Sequence, residues 1–150
     1  MVRRWPAINT GTYGDGKAED EFFWAATELY ITTGEKAYLE QAKQFAPDNF
    51  TVPTWGEVAG LGIMEWFNQE LTNSPKAKDL DTQALKASLK AQCDEDIQAL
   101  ASSPFHSVFG NKVSDFVWGS NSEKCAGGGI AQMYEYALSN NNKTYKEAAL

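Results

Sequence analysis

The sequence predicts an all-α fold built from helical hairpins. Three observations carry this reading. Apolar residues recur at helical spacing in several segments, polar turns rich in Gly or Pro separate them, and no Val/Ile/Thr alternation is long enough for a sheet. With 150 residues and 43% hydrophobic content, the chain is long enough for one domain that buries roughly two-thirds of its unfolded surface.

The first predicted helix runs from Glu19 to Thr32, with Phe22, Phe23, Ala25, Ala26, Leu29 and Tyr30 spread over a wide apolar arc, so burial on more than one side is expected. Glu19, Asp20 and Glu21 place negative charge in its first turn, where the helix dipole favours it, and Gly34 is the natural C-terminal cap. A second helix starts near Glu35. Its stripe of Ala37, Tyr38, Gln41, Ala42 and Phe45 is narrower and stops at Pro47, so the pair reads as a hairpin with an inner and an outer helix. The plan repeats with an apolar helix over Gly56 to Leu71, a turn containing Pro75, and an amphipathic stretch over Thr82 to Ser102. A third inner helix is predicted over Ser122 to Leu138, and Lys143 to Leu150 begins its outer partner. That helix stops within the apolar run Ala148, Ala149, Leu150, as a truncated hairpin would. Tyr38 and Tyr145 occupy equivalent places in two hairpins, but their separation is not a multiple of the roughly 34-residue period of a tetratricopeptide array.

Composition excludes several functions. Twenty acidic against 13 basic residues give a net charge of −7, and with no basic run a phosphate backbone would be repelled, so no nucleic-acid partner is expected. No stretch approaches the roughly 20 apolar residues of a membrane span, and Met1 to Thr10 lacks the apolar region of a secretion signal. Cys93 and Cys125 are too far apart in sequence for a CxxC site, and His106 is the lone histidine, so a structural zinc is not expected. The two cysteines either stay as buried thiols or pair in an oxidising compartment. Five Trp, six Tyr and eight Phe exceed what a small helical core needs for volume. Some are expected on a surface that meets flat sugar rings or another protein. Asn49-Phe50-Thr51 and Asn142-Lys143-Thr144 match glycosylation sequons.

Three motifs carry a resemblance. In Gly11 to Gly34, a Tyr13-Gly14-Asp15 loop precedes Asp20-Glu21, a Trp24-Ala25-Ala26 helix and a closing Thr33-Gly34. Phe50-Thr-Val-Pro-Thr-Trp55 leads to Val58 and Leu61-Gly62, and Phe116-Val-Trp118-Gly-Ser-Asn-Ser122 opens the third hairpin. In order and spacing these resemble the family 9 glycoside hydrolases, the cellulase family. The resemblance implies that residues 1–150 are a partial catalytic domain, with three hairpins forming about half of an (α/α)6 barrel. It further implies a secreted parent enzyme that hydrolyses β-1,4-glucan with inversion, one carboxylate activating water and a carboxylic acid protonating the leaving oxygen. The family's Asp-Ala-Gly-Asp base motif and its acidic Glu have no counterpart here, nor does its Pro-His-His-Arg-type motif, which Pro104-Phe-His106-Ser does not match. The segment is therefore expected to have no catalytic residues and to be inactive alone.

What the resemblance carries over is a cleft wall that contacts β-1,4-glucan or a cello-oligosaccharide. Tyr13 and Asp15 are placed to stack on and hydrogen-bond a glucosyl unit, unless they are turn residues between Gly14 and Gly16. Asp20 matches a family carboxylate at the cleft edge that binds sugar or helps hold a structural calcium, a hard ion with oxygen ligands; otherwise it is an ordinary acidic helix start. Trp55 and Trp118 open inner helices at one barrel end and serve as sugar platforms or as core, whereas mid-helix Trp24 reads as core. The resemblance implies chemistry that needs no cofactor, with calcium entering only as a structural ion. Cys125-Ala-Gly-Gly-Gly129 departs from the family's Ala-Asn-Gln-like run and costs about 1 kcal/mol of helix propensity per glycine. Asp94 with Asp96, or Glu57 with Glu65, are alternative acid and base pairs that read equally as solvated helix faces. A non-catalytic glucan-binding module is the second reading, and self-association through uncovered barrel edges the third.

Overall fold

The computed structural model describes residues 16–104, 113, 136 and 142–149. Among them there are five helices and no strand: α1 (Glu19–Thr33), α2 (Lys36–Phe45), α3 (Ala59–Leu71), α4 (Gln83–Ser102) and α5 (Lys143–Ala149). The predicted first, second and fourth helices lie within a residue of these bounds. The third begins at Ala59 instead of Gly56, because residues 54–57 form a tight turn in which the Thr54 N–H donates to the Glu57 carbonyl at 2.8 Å. The inner helix predicted over residues 122–138 lies outside the described residues, apart from helical, buried Tyr136.

Apolar spacing along α1 decides its packing. Phe23, Ala26, Thr27 and Tyr30 fall at helical intervals and are buried, and the helix meets both α2 and α3, as its wide arc predicts. Phe22 and Leu29 belong to the same arc yet stay exposed, Phe22 with its ring centroid 5.4 Å from that of Phe45 on α2. On α2 the buried pair is Leu39 and Ala42, with Tyr38 and Phe45 partly covered; Ala37 and Gln41, predicted in the stripe, are exposed. The stripe is rotated by about one residue, since Leu39 offers more apolar area to the core than Ala37 or Gln41.

The α1–α3 contact is close because Gly62 allows it. A Cβ there would lie 2.8 Å from Cε1 of the fully buried Phe23 and 3.2 Å from the Trp24 Cα. Farther along this contact the Trp66 indole is buried, donates to the Thr27 hydroxyl at 3.1 Å and stacks on Tyr30 with ring centroids 5.9 Å apart. The C-terminus of α1 is held from a distance. Gly34 takes the left-handed conformation (φ 76°) and donates to the Tyr30 carbonyl, while the Lys76 ammonium lies 3.1 Å from the Tyr30 carbonyl oxygen and 2.5 Å from that of Ile31. The Tyr30 hydroxyl donates to Asp79 at 2.6 Å.

Helix α3 ends on Asn73 with φ 53°, and the N–H groups of Asn73 and Ser74 return to the carbonyls of Glu70 and Gln69, a Schellman arrangement. Glu70 then accepts from the Thr82 hydroxyl and pairs with the Lys86 ammonium, tying the end of α3 to the start of α4. Leu85, Leu89 and Cys93 recur every fourth residue on the buried face of α4. Cys93 is a free thiol, and its candidate partner Cys125 lies outside the described residues. Asp94 accepts from both Lys90 and the buried Tyr145 of α5, and the Tyr145 ring meets Tyr136 edge to face with centroids 4.6 Å apart. Asn142 caps α5 by accepting from the Thr144 N–H at 3.0 Å.

Candidate functional site

The N-terminal ends of α1 and α3 lie side by side, and the strand of chain that leads into α3 presents the candidate site. It is anchored first at Phe50, which is buried; its N–H donates to Ser88 Oγ at 2.6 Å and its carbonyl accepts from the Gln92 amide at 2.8 Å. Thr51 and Pro53 then cross the first turn of α3 so tightly that a Cβ on Gly60 would meet the Thr51 carbonyl oxygen at 2.3 Å and Pro53 Cγ at 2.8 Å. The turn over residues 54–57 follows, with Trp55 at its tip and 64% exposed. A large indole left this open on a tightly anchored turn suits a flat apolar ligand face better than core packing.

Below the turn, two carboxylates meet the start of α3. Glu57 Oε1 accepts from the Ala59 N–H at 3.1 Å, and Asp20 Oδ2, reaching across from the first turn of α1, accepts from the Val58 N–H at 2.7 Å. Val58 occupies the N-cap position and has no side chain able to cap the helix, so the α1 carboxylate takes that role. Burial works to raise the Asp20 carboxyl, but the Val58 amide, the Glu21 side chain and neighbouring backbone amides together hold it below the usual carboxylate range. Asp20 is thus buried and committed to the backbone of the adjacent helix.

The remaining predicted residues divide clearly. Tyr13, Asp15, Trp118 and His106 lie outside the described residues. Trp24, expected in the core, is only partly buried, because its indole N–H turns to Glu28 Oε1 at 3.1 Å, which an apolar core could not offer. Glu28 faces Glu65 across α1 and α3; burial first, and then the Glu28 charge, push the Glu65 carboxyl up against an opposing hydrogen bond from Asn68. Of the alternative acid and base pairs, Glu57 is engaged with Ala59, and Asp94 with Lys90 and Tyr145, the last two holding the Asp94 carboxyl below the usual range. Sequence spacing gave no sign of the Asp20 to Val58 or Trp24 to Glu28 contacts. The second, at i to i+4, was open to a helical-neighbour search.

Calcium calls for six to eight oxygens. Asp20 and Glu21 are adjacent hard-oxygen donors of the right kind, but no group of three acidic, histidine or cysteine side chains gathers among the described residues.

A sequence profile of glycosyl hydrolase family 9 matches residues 3–150. The chain belongs to glycosyl hydrolase family 9. Its relatives include a xyloglucan-specific endo-β-1,4-glucanase of Bacteroides ovatus, 44% identical over 87% of this chain and 22% of the relative. Another is endoglucanase C of Cellulomonas fimi, 36% identical over 75% of this chain and 10% of the relative. The chain therefore spans about a fifth, or less, of the length of these relatives. A solved family 9 structure from Bacteroides ovatus superposes with a TM-score of 0.79 at 40% identity, covering 96% of this chain and 26% of that one. The family 9 fold is an (α/α)6 barrel, so the hairpins described above are part of such a ring.

Proposed function

We propose that this chain is a wall of the substrate cleft in an enzyme that hydrolyses β-1,4-glucan with inversion, and that its acid and base come from outside residues 1–150. The observation that carries the reading is Trp55, 64% exposed at the tip of a turn anchored on both sides. Membership of a family whose relatives include named endoglucanases supports a glucan as the ligand class. The indole supplies a face for a glucosyl ring, and Tyr13, Asp15 and Trp118 are proposed as further sugar contacts. The relative with xyloglucan in its name makes a branched glucan a second probe. An extracellular location follows from a polymeric substrate; among the described residues no helix is long and apolar enough to cross a membrane.

The test is isothermal titration of the chain with cellohexaose and with a xyloglucan oligosaccharide, beside a reducing-sugar assay on carboxymethylcellulose. Binding that falls at least about tenfold in Trp55→Ala, with no sugar released, is the expected result. Equal binding by the variant would remove the platform, and turnover by the chain would place an acid and a base within it. Calcium is proposed as a structural ligand at Asp20 and Glu21. It is expected to raise the thermal midpoint at millimolar concentration, reversibly with chelator.

A further inference from the structure

We infer that Asp20 is a positioning residue for Trp55, acting through the backbone of α3 without touching the sugar. The inference rests on the reading of Trp55 as a platform and adds the residue that sets its orientation. Trp55 lies in a turn closed by one backbone hydrogen bond, Thr54 to Glu57 at 2.8 Å, with a longer Gly56 to Thr54 Oγ1 contact of 3.4 Å. Both ends of this turn are fixed to neighbouring helices. The upstream end is fixed on α4 through Phe50 and wedged against Gly60. The downstream end is Val58, whose N–H has Asp20 Oδ2 as its acceptor at 2.7 Å.

That acceptor is buried, charged and built into α1, which makes it a stiff anchor of the kind a flexible surface cap would not provide. Glu57 cannot replace it, since its carboxylate reaches the next amide, Ala59, and moves with the turn itself. Asp20 therefore registers the Trp55 turn against α1, and the exposed indole keeps a fixed relation to the cleft wall.

The test is a double-mutant cycle on the 150-residue chain, run in chelator so that calcium plays no part. Asp20→Asn keeps an oxygen that can hold the fold while weakening the bond to Val58, and Trp55→Ala removes the platform. Asp20→Asn is expected to weaken cellohexaose binding by about fivefold in the parent and by less than about twofold in the Trp55→Ala background. Fluorine NMR of the chain labelled with 5-fluorotryptophan provides a readout that does not depend on sugar. The Trp55 line, assigned with Trp55→Phe, should move in Asp20→Asn, while the line of buried Trp66 stays in place and reports an intact fold. Additive losses, unchanged affinity in Asp20→Asn with Trp55 still required, or an unmoved Trp55 line would overturn the role of Asp20. If Trp55→Ala alone binds normally, the platform reading fails, and the fluorine shift still decides whether Asp20 orients the turn.

Discussion

Lys76 places its ammonium 2.5 Å from the carbonyl oxygen of Ile31, at the C-terminal end of a helix that has no basic residue in its own last turn. The charge that the helix dipole favours there arrives from the loop after α3, which also brings Asp79 to the Tyr30 hydroxyl. The two contacts clamp the α3–α4 connection onto α1. Lys76→Met keeps the aliphatic stem and removes the charge, and should lower stability by about 1–2 kcal/mol in urea unfolding, with an unchanged m-value.

Gly62 sets the distance between α1 and α3. A methyl group there meets the fully buried Phe23 ring at 2.8 Å and the Trp24 Cα at 3.2 Å, so Gly62→Ala should cost about 1–3 kcal/mol despite its better helix propensity. Thermal denaturation followed by circular dichroism checks the sign. Stabilisation would mean that the two helices are farther apart than described.

Alkaline pH should destabilise the chain through Tyr30. The hydrogen bond to Asp79, then burial and the Asp79 charge, push the Tyr30 hydroxyl up to about 12 from its usual 10. A group raised in the folded state stabilises fully below its unfolded value and loses that contribution as pH rises through the folded one. Tyr30 thus contributes a loss of stability between about pH 10 and pH 12, and Tyr30→Phe should flatten this part of the stability curve, measured by urea unfolding at each pH.

Cys93 should be unreactive while the chain is folded. Burial, followed by the charges of Asp96 and Asp94, pushes its thiol up to about 12, so almost no thiolate exists at pH 8. Peptide-resolved mass spectrometry after iodoacetamide should find Cys93 unmodified in buffer and fully alkylated in denaturant. Rapid labelling in buffer would contradict its burial.

Much of the fold was legible because hairpins write themselves into local sequence. The acidic first turn and Gly34 mark the ends of α1, and the recurrence of Leu85, Leu89 and Cys93 at every fourth residue marks the buried face of α4. The start of α3 was misjudged by three residues. No proline or capping side chain marks a boundary in Gly56-Glu57-Val58, and only the backbone bond from Thr54 to Glu57 shows that Gly56 and Glu57 belong to a turn, with Val58 at the N-cap. The buried stripe of α2 was likewise rotated, since periodicity alone does not say which of two adjacent arcs faces a partner.

By itself, then, the sequence determined the all-α hairpin plan, the helix bounds to within a few residues and, through its motifs, the family. Only the tertiary structure decided which side chains serve distant backbone. Asp20 reaches from α1 to the N–H of Val58, which has no side chain able to cap α3, and Lys76 brings to the Gly34-capped end of α1 the positive charge that its own last turn lacks. Local spacing encodes what a residue can reach along its own helix. An unsatisfied helix end accepts any suitable group that packing brings near it, and that choice is made only when the helices meet.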